Sequence, residues 1–373
     1  MNKFFAQTVS SQTVCVGGGR FVGLDLLRIF LAFLIFLFHS HTHLGCDYYF
    51  LNDFIRMGAI AMTGFFMLSG YCLCISNIKT DLSKYDEVIL FYKKRIISIL
   101  PLYYFVASLY VILKCIDEPG SVFENLVLLP VETLCLQTVF SSLFNVSHNG
   151  GSWFVSCIII CYALFPFIQT LLTRFSDRKK VVLMLVLICF LLYSPFVEHI
   201  FGCNPIYSNP FFRMLEFIIG AILGLLNHSS NREGAVLKVL RTWYSSFAFF
   251  LILIIGITIA KRIGLPMDYM LYNWIALPCF IGLILSLGYI KMHGYAMTLY
   301  LSKITYAFFM VQVLPFFDFF SKGISNGYMS SNIIRIFLPF TCCLLFAIIL
   351  HEVIEKPIGA YLINKYIAKS RYE

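Results

Sequence analysis

The sequence predicts an all-α, polytopic membrane protein with about ten transmembrane helices and no soluble domain. Three observations predict it. Of 373 residues, 60% are hydrophobic and only 13% are charged, with a mean hydropathy of +0.83. Apolar runs of about 20 residues recur along the chain, the length a helix needs to cross the hydrocarbon of a bilayer. Basic residues concentrate in every second connection. A β-barrel would instead show short alternating segments.

Taken in order, the expected spans are 24–44, 58–77, 99–116, 151–173, 180–198, 211–228, 244–261, 270–289, 298–320 and 332–352. Lys3 and Arg20, then Lys79, Lys84 and Lys93 to Arg95, then Arg174 to Lys180, then Arg232, Lys238 and Arg241, then Lys291, and finally Lys356, Lys365, Lys369 and Arg371 fall on one side. The other side holds Arg56, Lys261, Arg262, Lys322 and the borderline Lys114. The positive-inside rule then places both termini of this multi-pass protein in the cytoplasm. It also accounts for the net charge of +9, so nucleic acid is not an expected partner, whereas membrane lipid is. The first twenty residues hold no long apolar run, so no cleaved signal peptide is predicted. Residues 1–20 read as a cytoplasmic tail, 21–365 as the membrane domain and 366–373 as a second cytoplasmic tail. The connection 117–150 is acidic, and its ENLVLLPVETLCLQTVF stretch reads as an interfacial or re-entrant helix; Pro130 and two glutamates argue against a full span. The 13 cysteines are scattered, many inside spans, and read as small packing residues.

The first span, GLDLLRIFLAFLIFLFHSHTH, carries the costliest groups. Arg28 and His39 are eleven helical steps apart, which returns them to nearly one face about 16 Å apart along the axis. Ionisable groups inside a membrane are expensive and usually functional. The plain alternatives are an arginine that snorkels to the headgroups and a histidine that packs with its hydrogen bonds met. His39 and His43 have the i,i+4 spacing of metal ligands, but no third ligand is evident and no metal is expected.

Four stretches in order resemble the acyltransferase-3 family of integral membrane acyltransferases: LLRIFLAFLIFLFH (26–39), GFFMLSGYCL (64–73), FYKKRIISILPLYYF (91–105), and the ending LSKITYAFFMVQVLP (301–315) with HEVIEKPIGAYL (351–362). The resemblance covers about 25–362 and implies transfer of an acyl group, by expectation acetyl, from acyl-CoA. The acceptor would be a hydroxyl of a cell-surface glycan or its lipid-linked precursor. Acyl-CoA then acts as a donor substrate, and no permanently bound cofactor is expected. The resemblance implies that Arg28 and His39 are essential, with Arg28 orienting the donor or fixing a carboxylate. His39 would act as the base, either in direct transfer or through a transient acyl-histidine. Lys94 and Arg95 would hold the coenzyme A phosphates, although Ser98 stands where relatives have a further arginine. They serve equally as positive-inside anchors. Ser69 and Gly70 would line a thioester tunnel or pack helices.

Further likenesses come with departures. In SWFVSCIIICYALFPF (152–167), Trp153, Tyr162 and Pro166 match, but Ile158 replaces a glutamate. Trp153 would stack on a sugar or sit in an interfacial belt. In NPFFRMLEFIIGAILGLL (209–226), Arg213 and Glu216 are i,i+3 partners, structural or in contact with the acceptor. Gln312 stands where relatives often have histidine; it can exchange hydrogen bonds but is no base. Glu355-Lys356-Pro357 matches the family's terminal signature and is expected to cap the last helix. The rival reading is an exporter or flippase of a glycan or lipid-linked glycan. It would share the spans but has no use for a coenzyme A site.

Overall fold

The computed structural model describes residues 21–117, 120, 122–139, 150–201, 206–229, 239–266, 268–290, 295–312 and 314–368. The expected tail 1–20, the cations Arg232, Lys238 and Lys291, and the last five residues lie outside them. The described residues form helices and turns with no strand, as an apolar chain must when each backbone group has to be satisfied without water.

Among the described residues, eight helices are long and apolar enough to cross a membrane. They fall on eight of the ten expected spans. The expected span 270–289 is shorter, Asn273–Leu287, at about 22 Å. Turns close it at both ends, and Ala276, Leu277, Phe280, Leu283 and Ile284 are fully buried, so it need not match the lipid thickness. The expected span 298–320 is a pair of apolar helices inclined at 63°.

The helices are α1 (Val22–Leu44), α2 (Ala61–Ser76), α3 (Tyr85–Asp117), α4 (Val122–Thr133), α5 (Trp153–Arg174), α6 (Asp177–Phe201), α7 (Pro210–Ser229), α8 (Trp243–Arg262), α9 (Asn273–Leu287), α10 (Ala296–Val311), α11 (Leu314–Ser325) and α12 (Asn332–Leu350). We call the face where α1 begins proximal and the face where it ends distal. Helix α1 stops where Gly45 takes a left-handed conformation (φ 62°) and donates its N–H to the carbonyl of Ser40.

Helix α2 is the axis of the bundle: 89% of its span is buried. It crosses α7 backbone to backbone. A methyl on Gly70 would meet the carbonyl of Phe217, and one on Gly220 would meet the carbonyl of Met67. These reciprocal glycines let the two helices touch, which is the structural work done by Gly70. Gly70→Val is therefore expected to prevent accumulation of folded protein in detergent extracts. Ala221→Gly, which leaves the contact open, is not. Helices α6 and α8 are peripheral and turn Val182, Leu185, Phe190, Phe247, Ile252 and Ile255 outward, toward lipid.

The stretch after α3 re-enters the bundle. Tyr103 of α3 lies fourteen residues, about 21 Å, before the helix end at Asp117. Its hydroxyl donates to the carbonyl of Glu132 (2.6 Å), and that of Tyr104 to the carbonyl of Thr133 (2.8 Å). Helix α4 thus descends from the distal face, and residues 135–138 pass inside. Cys135 adopts a positive φ of 54°, Gln137 donates to Ser152, and Thr138 shares a 2.6 Å hydrogen bond with Ser156. Irregular backbone at this depth is tolerated because protein surrounds it.

Glu355-Lys356-Pro357 does not cap the last helix. The helical segment runs unbroken over Asn332–Ile367. A π-helical turn at His351–Glu355 leads into Lys356–Ile363 and accommodates the missing N–H of Pro357. Within that turn the His351 ring and the Glu355 carboxylate share a 2.7 Å hydrogen bond.

Candidate active site

Among the polar groups that the apolar bundle buries, three sets lie at successive levels along its axis. The proximal layer holds Arg28. Its Nη1 donates to Asp25 (3.1 Å) and to the Ser302 hydroxyl (3.0 Å), while Ser302 donates to Asp25 (2.6 Å). Nη2 faces the Cys72 sulfur at 3.9 Å. Asp25 is fully buried and Arg28 is 6% exposed. Arg28 is therefore not a snorkelling residue. It fixes a carboxylate one turn away on its own helix and ties α1 to α2 and α10. The Asp25 partnership was missed in the sequence reading, although the i,i+3 spacing announces it.

Arg95 belongs to the same layer. It is buried, and its guanidinium lies over the rings of Phe91 (5.6 Å) and Tyr162 (5.8 Å). Its Nε has no hydrogen-bond partner and no carboxylate pairs with it among the described residues. Tyr162 is within electrostatic reach of both Arg95 and Arg28. Lys94, one residue back and so about 100° around the helix, is half-buried. Arg95 is the more deeply buried of the two. Ser98 donates to the carbonyl of Arg95. Ser69 is half-buried beside Gly70 on α2.

The middle layer is closed. Arg213 and Glu216, 1% and 0% exposed, form a bidentate pair through Nη1 (2.7 and 3.0 Å). Arg213 Nε donates to the carbonyl of Tyr207, and Nη2 faces the Met270 sulfur. The Thr63 hydroxyl lies 2.8 Å from Glu216 and 3.1 Å from Asn273. The guanidinium sits 4.8 Å from the Tyr207 ring and 5.9 Å from that of Trp153. Trp153 itself is 7% exposed and packs on Phe66 and Tyr207. It is a wall of this ion pair rather than a residue of the lipid boundary. The layer joins α2, α5, α7 and α9 as a staple.

The distal layer is open in its hydrogen bonding. His39 is half-buried; its ring lies 5.1 Å from Phe38, 5.8 Å from Phe317 and 5.6 Å from His43, on which it stacks. Its Nδ1 is buried without a partner among the described residues. No group of three or more His, Cys, Asp or Glu able to hold a metal is found among the described residues. Gln312 is fully buried, and both its amide oxygen and its amide nitrogen lack partners there. The two residues lie at one level. Arg28 meets Ser302 and Phe36 meets Phe308 (ring centroids 5.8 Å), so α1 and α10 run parallel. One turn further along each come His39 and Gln312. The Gln137 amide oxygen, on the re-entrant segment, is a third buried acceptor with no partner there. An unmet buried polar group costs about 1–3 kcal/mol. His39, Gln312 and Gln137 therefore each call for a hydrogen-bonding partner that the described residues do not supply.

A family profile described as an acyltransferase domain, that of acyltransferase-3, matches residues 21–354. The chain belongs to the acyltransferase-3 family. Among curated relatives, acyltransferase MdmB of Streptomyces mycarofaciens is 27% identical over 237 residues. That alignment takes in 56% of this chain and 57% of the relative, so the chain spans a little over half the length of the relative it matches. No solved structure matches the chain at a significant level. This acyltransferase-3 protein is thus a multi-pass membrane protein whose proximal and distal polar layers are joined by one helix, α1. Asp25 and Arg28 sit near one end of it, and His39 near the other.

Proposed function

We propose that the protein moves an acyl group, acetyl in the first instance, from acyl-CoA to a hydroxyl of a cell-surface glycan or its lipid-linked precursor. The proximal face is then the cytoplasmic face of a bacterial inner membrane. The observation that carries this reading is the pair of unsatisfied polar groups on α1 and at the end of α10, His39 Nδ1 and the amide of Gln312, the residue that caps α10. They supply the acceptor and donor that an acyl transfer needs.

In this mechanism the donor enters from the cytoplasm. Arg95, a buried cation over Phe91 and Tyr162, attracts its phosphates, and the arm passes Tyr162 toward the distal layer. Arg28, held by Asp25 and Ser302, keeps the wall of this passage in place. His39 takes the proton from the acceptor hydroxyl as its oxygen attacks the thioester carbon. The carbonyl oxygen gains charge, and the Gln312 N–H stabilises it. The C–S bond then breaks, and His39 returns the proton to the leaving thiolate. An acyl-histidine route uses the same residues in two steps.

The test is incubation of inside-out membrane vesicles with radiolabelled acetyl-CoA. Alkali-labile label should appear in glycan only when the protein is present; protein-independent labelling refutes the reading. A second prediction separates the role of Gln312 from packing. Gln312→Leu keeps the volume and removes two unmet polar atoms, so the melting temperature should hold or rise. Turnover should fall by about a hundredfold, the scale of losing one oxyanion donor. A destabilised protein with normal turnover would make Gln312 structural.

A further inference from the structure

Beside His39, the distal end of the bundle holds two titratable groups that the transfer does not use, His43 and Asp318. His43 lies one turn beyond His39 on α1. The two imidazoles stack, with ring centroids 5.6 Å apart and planes inclined at 27°. Phe317 of α11 flanks both, 5.8 Å from His39 and 5.7 Å from His43. It is fully buried, so the pair rests against a fixed wall. Both histidines are half-buried, and Asp318, the residue after Phe317, is exposed. Asp318 is within electrostatic reach of His43, and His43 of His39.

Other charged groups surround this end of α1. His41 shares a 2.8 Å hydrogen bond with the carbonyl of Cys46 and lies within electrostatic reach of Asp47. Arg335 of α12 donates to the carbonyl of Met329. Asp53 pairs with Arg262, and Arg56 is within electrostatic reach of Tyr269. Lys322 follows Asp318 by one turn of α11.

A general base must be uncharged before it acts, and it becomes a cation as the acceptor hydroxyl attacks. Where two imidazoles share one stack, a proton on the outer ring opposes a second proton on the inner one. His43 is the outer ring, one turn nearer the distal face, and the Asp318 carboxylate is the counter-charge that its proton would meet. We propose that His43 is an acid-sensitive brake on His39: a proton taken up from the distal side, with Asp318 as counter-ion, stops the acyl transfer. The proposal rests on the reading of His39 as base and adds regulation from the acceptor side.

The test is the pH dependence of transfer from radiolabelled acetyl-CoA into glycan, in detergent-permeabilised membranes carrying the full-length protein. Buffers run from about pH 5 to about pH 8, where histidines titrate. Each profile is scaled to its own plateau, so a change in packing alone leaves the midpoint of the acid limb in place. His43→Phe keeps a ring in the stack and carries no charge; its midpoint should move toward acid by about one pH unit. Asp318→Asn removes the counter-charge from an exposed position; its midpoint should move the same way, by less. If His43→Phe is inactive at every pH, the exposed Asp318→Asn decides alone. A wild-type midpoint in Asp318→Asn, or in both variants, overturns the brake and leaves His39 as base. Wild-type protein that transfers no label overturns both.

Discussion

Replacing His39 by alanine is expected to lower acyl transfer by about a thousandfold, within the range that a general base contributes, with little loss of folded protein. The asymmetry follows from its surroundings. The ring is half-buried and touches Phe38, His43 and Phe317. Its Nδ1 has no partner whose loss would be felt among the described residues. Alanine therefore removes contacts at the edge of a ring stack and no internal hydrogen bond at Nδ1. Two departures from the family-like pattern, Ile158 and Gln312, carry no group that can accept a proton as a base. The measurement is ester label in glycan per mole of folded protein. Transfer within threefold of wild type would remove His39 from the chemistry.

Glu216→Gln should do the reverse. The pair it breaks is fully enclosed, and Arg213 would be left as a buried cation without its counter-charge, at about 3–5 kcal/mol. The expected result is loss of most folded protein from membranes and a sharply lower melting temperature in detergent. Replacing both partners by apolar residues, Arg213→Met with Glu216→Leu, should recover much of that stability, because well-packed apolar side chains replace a buried pair at little net cost. The double variant also decides the role. If it folds and still transfers acyl groups, the pair is a staple. If it folds and binds donor but transfers nothing, the pair touches the acceptor.

The fold was legible because lipid imposes a length on each span and charge bias imposes a direction. The exceptions have local causes. Asn273–Leu287 is buried on nearly every side and so escapes the length rule. The descent of α4 was open in sequence, since its glutamates and proline deny a span without choosing between the interface and the interior. The backbone hydrogen bonds from Tyr103 and Tyr104 make that choice. At the site, the residues of the first span were visible as costly charges. Asp25 was overlooked beside them, although its spacing was plain. The closed state of the Arg213 pair and the unmet polar atoms of Gln312 and Gln137 were not legible at all. Whether a polar side chain finds a partner depends on Thr63, Tyr207 and Asn273, which come from elsewhere in the chain.

The ion pair of α1 bears on how the protein is made. Asp25 and Arg28 lie three residues apart on one helix, whereas Ser302 is 274 positions beyond Arg28. Helix α1 therefore brings its own neutralising partner. It can settle in the bilayer as a nearly uncharged rod while most of its neighbours are still untranslated, and an isolated arginine in its place would face the full cost of lipid. Ser302 is made 274 positions later and latches onto a pair already formed, so α10 is fastened to α1 after α1 has been inserted.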